Sequence, residues 1–185
     1  MNGTRRQILA ALLTALTVTL GYALAAVPNV ELMTITVFIS GYLLGARLGV
    51  LVGTLSMALH SLFNPMGAAL PPLIVAQIGA FVLISLAGAW CAPALSRLRS
   101  RLAGFALAAI TGFFVTLLYD LATNVAAYYI AIDAGSSLRM WQFVSGGLVF
   151  MLMHMVWNTG LFLVVLPPAL RILAGYRSEL TEVSA

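Results

Sequence analysis

Asp120, Asn124 and Tyr128 recur every four residues within an otherwise apolar stretch. On a helix that spacing puts a carboxylate, an amide and a phenol on one face. Together they can read the polar edge of a solute. A carboxylate inside an apolar helix costs about 3 kcal/mol or more unless it is paired, hydrated or protonated, so Asp120 needs a partner. The same spacing joins His154 to Asn158, Trp141 to Ser145, His60 to Asn64 and Gln77 to Phe81. Asn29, Glu31, Thr34 and Gln142 complete the polar set near the ends of apolar runs. Convergence of these faces predicts a polar, aromatic pocket for a small solute. Each group also has a structural use. Asn, Gln and His within membranes serve as hydrogen-bond glue between helices, and Trp141 and Trp157 suit interface or packing positions.

The elements that must position these groups are membrane helices. Of 185 residues, 62% are hydrophobic and 8% charged, too few polar side chains to cover a soluble surface. Six apolar runs stand out, at about 7–26, 30–45, 48–64, 72–92, 104–132 and 140–166. The chain therefore reads as one all-α membrane domain over 1–185 with six transmembrane helices. Turn chemistry separates the runs. Pro28-Asn29, Asn64-Pro65-Met66-Gly67 with Pro71-Pro72, Pro93 and Asp133-Ala134-Gly135 mark four loops, and Pro167-Pro168 precedes a polar tail over 169–185. Six spans place Arg5, Arg6, Arg47, Arg97, Arg99, Arg101, Arg171 and Arg177 on one side and only Arg139 on the other. The arginine-rich side is the cytoplasmic one, so both termini are expected inside the cell and the polar groups gather toward the outer face.

Several chemistries are excluded. G-x-x-x-x-G-K-[ST], H-E-x-x-H and G-x-S-x-G are all absent, which removes P-loop nucleotide hydrolysis, zinc proteolysis and the serine-hydrolase elbow. The arginines sit at the ends of apolar runs without interleaved aromatics, so nucleic acid is not an expected partner. One cysteine, Cys91, allows no internal disulfide. Met140, Met151, Met153 and Met155 keep no consistent helical face and read as packing. No metal ligand set and no cofactor are expected. A chain with one polar pocket and no energy source reads as a binding subunit, not an enzyme.

Small residues form a second pattern. Gly41, Gly45, Gly49 and Gly53 recur every four positions, and Ala11 with Ala15 makes a further pair. Such faces let helices approach closely. The stretch Ala11-Leu12-Leu13-Thr14-Ala15 resembles the A-x-x-x-A face of substrate-binding S components of energy-coupling factor (ECF) transporters, the vitamin-uptake branch of ABC transporters. Pro28-Asn29-Val30-Glu31 resembles their first loop, and Leu43-Leu44-Gly45-Ala46-Arg47-Leu48-Gly49 their L-L-G-x-x-x-G turn between helices two and three. The resemblance covers about 7–170.

This resemblance implies a small-molecule pocket near the outer surface, built mostly from helices four to six and capped by loops one, three and five. It implies a transmembrane coupling subunit and two cytoplasmic ATPases as partners, docking through Ala11 and Ala15. It also implies a multi-pass protein of the bacterial or archaeal cell membrane that topples in the bilayer to release cargo. The substrate-binding candidates are Asn29, Glu31, His60, Asn64, Gln77, Phe81, Asp120, Asn124, Tyr128, Trp141, Gln142, His154 and Asn158. Aromatic rings with amide and carboxylate edges suit a small neutral or weakly cationic heterocycle, such as a water-soluble vitamin. The competing reading is a six-helix scaffold of the rod-shape MreD type, in which the polar residues are only glue. A membrane-embedded enzyme would need a catalytic cluster near the cytoplasmic face, where the sequence places few polar groups.

Overall fold

The computed structural model describes residues 3–97 and 100–181, with side chains at 3–95 and 100–176. Arg99 and the last tail residues, 182–185, lie outside the described residues, as do the side chains of Arg97 and Arg177. The chain is all-helical: α1 (Gly3–Leu24), α2 (Met33–Leu62), α3 (Pro71–Arg97), α4 (Arg101–Asp133) and α5 (Met140–Thr181). All five are long and apolar enough to cross a membrane.

The second and third apolar runs fall within one element, α2, which is interrupted by non-helical backbone at Gly45 (φ 77°, ψ 177°). That left-handed φ is open to glycine at no steric cost. The chain doubles back there. A Cβ built on Gly49 would lie 2.7 Å from the Cα of Gly41, whereas residues eight apart on a straight helix are separated by about 12 Å. Gly53 likewise faces the Val37 side chain. The four-residue glycine spacing thus serves a helical hairpin whose halves touch through backbone. The same hairpin packs on α3 with equal intimacy: side chains at Gly41 or Gly88 would collide with the carbonyls of Ser85 or Phe38.

This hairpin is the centre of the bundle. Its apolar window is 61% buried, against 22–28% for the other four helices. Val37, Phe38, Tyr42, Leu44 and Val52 are fully enclosed, with Phe81 and Ile84 of α3 and Phe162 and Leu166 of α5 around them. Phe38 and Phe162 meet edge to face at 5.5 Å, an arrangement aromatic pairs favour.

Two boundaries differ from the sequence reading. Pro93 lies inside α3, and Pro167 and Pro168 lie inside α5, which continues to Thr181. Residues 169–181, expected as a polar tail beyond the last helix, therefore continue that helix. A proline removes one backbone donor, and in apolar surroundings the flanking residues have no water to satisfy them outside a helix, so the helix is retained across it.

The helix termini define two ends. Arg6 near the start of α1 donates from Nη2 to the Leu44 carbonyl beside the Gly45 reversal. Tyr22 near the end of α1 donates to the Leu59 carbonyl near the end of α2. At 22 residues, α1 separates these ends by about 33 Å.

Candidate functional site

A cavity of about 490 Å³ opens at the Tyr22 end of the bundle. That volume suits a small organic molecule. Its walls come from the end of α1, the α1–α2 loop, both ends of α2 and the start of the α2–α3 loop. Phe81 of α3, Tyr119 and Asp120 of α4 and His154 of α5 complete it. The first half of the chain therefore supplies most of the lining. This differs from the expected division, in which helices four to six build the pocket, and no residue of the α4–α5 loop lines it.

At its base lies a chain of hydrogen bonds between three elements. His154 Nδ1 is 2.7 Å from Asp120 Oδ1. Asn158, one turn on along α5, donates from Nδ2 to Glu31 Oε1 at 2.9 Å, and the same nitrogen lies 2.8 Å from His154 Nε2. Glu31 Oε1 is 3.8 Å from His154 Nε2. The other Glu31 oxygen accepts from the Thr34 backbone at 2.8 Å, placing a carboxylate at the N-terminus of α2, where the helix dipole favours it. Burial opposes ionisation of Glu31, yet the His154 and Thr34 interactions outweigh it and hold this loop carboxyl below its ordinary value.

Three buried polar atoms around this chain have no partner: Asp120 Oδ2, Asn158 Oδ1 and Asn29 Nδ2. Asp120 is only 6% exposed and Asn158 1%. Such atoms cost about 1–3 kcal/mol each when left unsatisfied. Asp120 and Asn29 both line the cavity. Asn29 holds a positive φ of 61°, a conformation asparagine tolerates better than most residues.

Aromatic and thioether groups form the rest. Tyr119 meets Phe81 at 5.8 Å and His154 at 5.9 Å, both edge to face. Gln77 donates to the Tyr119 hydroxyl and accepts from Ser61, so it braces Tyr119 from outside the lining. His60 stacks on Tyr22 at 5.3 Å. Gly21 makes room for this stack, since a Cβ there would stand 2.7 Å from the His60 ring. Met33, Met57 and Met66 complete the apolar wall.

Of the residues singled out in the sequence, Asn29, Glu31, His60, Asn64, Phe81, Asp120 and His154 line the cavity. Asn158 and Gln77 stand directly behind it. The others are not brought to it. Asn124 donates to the backbone carbonyl of Asp120. Tyr128 packs on Tyr129 and Phe143. Trp141 is 65% exposed, and Gln142 accepts from the Arg139 backbone at the start of α5. Tyr119 is the main lining residue the spacing argument missed. It is next to Asp120 in sequence and about 100° around the helix, so a four-residue interval does not find it. No group of three His, Cys, Asp or Glu side chains among the described residues has metal-holding geometry.

Far from the cavity, Ala11 and Ala15 are exposed on α1. Ala11 borders a shallow groove of about 130 Å³ between α1 and the second half of α2. Arg6 and Arg47 share a separate groove beside Gly45.

No curated protein and no solved structure matches the chain. A family model described as ECF transporter, substrate-specific component, matches residues 5–170. That match takes in α2, α3 and α4 whole, most of α1 and α5 and the whole cavity lining, and the chain belongs to the substrate-specific components of ECF transporters.

Proposed function

We propose that this protein captures a small water-soluble vitamin or related heterocycle with high affinity from outside the cell, for import powered by partner subunits. One observation carries the reading: a cavity of about 490 Å³ is lined by Asp120, a buried carboxylate whose Oδ2 has no partner within the protein. Internal glue would leave that oxygen satisfied. The proposed site comprises Asn29, Glu31, His60, Asn64, Phe81, Asp120 and His154. Gln77 and Asn158 hold Tyr119, Glu31 and His154 in place, and Asn124 stiffens the helix turn that presents Asp120.

The membrane arrangement follows the same logic. With α2 folded back at Gly45, its halves act as two spans, giving six in all with both termini in the cytoplasm. Arg6 and Arg47 border one groove at the Gly45 end, and the excess of arginine supports a cytoplasmic assignment there. The cavity then faces outward, in the cytoplasmic membrane of a bacterium or archaeon. Ala11 and Ala15 dock a transmembrane coupling subunit that carries two cytoplasmic ATPases. Their exposure on α1 leaves a small-residue face free for a helix.

The test is to purify the protein gently and identify any co-purifying small molecule by mass spectrometry. A stoichiometric ligand that is lost in Asp120→Ala supports the reading. A protein that binds nothing while Ala11→Trp still assembles with the coupling subunit would remove both the site and the docking face.

A further inference from the structure

The cavity carries an unusual charge balance for a site open to solutes. Its lining includes two carboxylates, Glu31 and Asp120, and no arginine, and the chain has no lysine. His154 already lies between the two acids. One histidine between two carboxylates can offset at most one of their charges, so the lining has no surplus of positive charge to offer an anion. The remaining basic group, His60, is committed to a stack on Tyr22. Bringing an anion into this partly dry site would add like-charge repulsion to its desolvation cost.

The unsatisfied atoms have a complementary meaning. Asp120 uses Oδ1 for His154 and keeps Oδ2 unpartnered at 6% exposure. A carboxylate oxygen accepts only, so whatever completes it is a donor, and a charged donor does so most strongly. Asn29, another lining residue, has its Nδ2 buried without a partner, and that atom asks for an acceptor. Phe81 and Tyr119 offer ring edges and faces beside them.

On the reading of this cavity as the substrate site, we infer that the transported molecule is a cationic nitrogen heterocycle. A protonated amine or ring nitrogen meets Asp120 Oδ2, a ring acceptor meets Asn29, and the molecule bears no carboxylate or phosphate. Phosphorylated or carboxylated forms of the same ring system are rejected by Glu31 and Asp120.

Three pyridines of one shape test this on the purified full-length protein: 3-(aminomethyl)pyridine, 3-(hydroxymethyl)pyridine and nicotinate, which are cationic, neutral and anionic. Binding is read by isothermal titration and by thermal shift. The amine should bind about tenfold or more tightly than the alcohol, and nicotinate should bind least. Asp120→Asn should remove the preference for the amine over the alcohol. Because the charge series is run on the unaltered protein, a variant that fails to fold leaves the first comparison decisive. Equal response to all three, including none, or a preference for nicotinate overturns the inference. Co-purification with the coupling subunit is measured in parallel. Assembly together with a nicotinate preference would overturn the charge assignment alone, whereas loss of assembly together with no binding would remove the transporter reading as well.

Discussion

The two ends of the α2 hairpin, the turn at Gly45 and the open end at Met33 and Leu62, present opposite solutions to the same constraint. Around Gly41, Gly49 and Gly88 the chain has removed side chains altogether, and backbone meets backbone between the halves of α2 and against α3. At the other end, the bundle spreads and fills the gap with Glu31, Asp120, His154 and Asn158. In lipid the first arrangement is favourable because close contact replaces the missing hydrophobic drive between helices. The second is costly, since it buries ionisable groups and leaves three polar atoms without partners. The seam is where the fold is made. The cavity end is where stability is given up, and strain of this kind persists where it serves function.

That contrast predicts the largest effect at the seam. Gly88→Val should prevent α3 from seating on α2, because its Cβ would strike the Phe38 carbonyl, which cannot move without its helix. A loss of about 3 kcal/mol or more is expected, read as aggregation on size-exclusion chromatography and a lowered melting temperature. A well-folded Gly88→Val protein would show that the seam is looser than described.

A smaller loss of stability is expected at the cavity, accompanied by a loss of function. His154→Ala strips Asp120 of its partner and leaves a buried carboxylate uncompensated, a change worth about 3–5 kcal/mol in enclosed sites and less here, where the cavity admits water. Ligand capture should be abolished. Trp141→Ala, at an exposed residue beyond the cavity, should alter neither melting nor binding. Equal effects from the two substitutions would erase the distinction between the site and its surroundings.

The contrast also explains what the sequence disclosed. The cost of an acid in an apolar helix pointed to Asp120, and the interval of four tied His154 to Asn158. The glycine interval pointed to close packing, and Leu44-Gly45-Ala46 to a turn. What remained hidden was rotation. The interval of four groups residues on one helix face, but it does not show how far along that face a cavity extends. Asn124 and Tyr128 share a face with Asp120, yet each successive turn carries them about 5–6 Å further from it, to the backbone carbonyl of Asp120 and to Phe143. Glu31 was visible as a polar loop residue. Its bonding to Asn158, 127 residues away, depends on how α5 lies against the α1–α2 loop, which no local pattern encodes. The helical course of α5 through Pro167 and Pro168 likewise depends on surroundings that offer the backbone no water.

The smallest effect concerns the loop that closes the cavity. Glu31 is held below its ordinary value of 4.5, burial notwithstanding, by the nearby His154 and by its hydrogen bond from the Thr34 backbone. A depressed folded-state value means the ionised carboxylate stabilises the folded protein. That contribution is fully present above pH 4.5, the value when unfolded, and it disappears as the pH falls through the lower folded value. Melting curves taken from neutral pH downward should therefore show the unaltered protein losing stability below pH 4.5 relative to Glu31→Gln, which has no charge to lose. Above that pH the difference between the two should be constant. A gap that instead opened between pH 5 and 7 would track a histidine, and the anchoring of the α1–α2 loop would then rest on His154 rather than on Glu31.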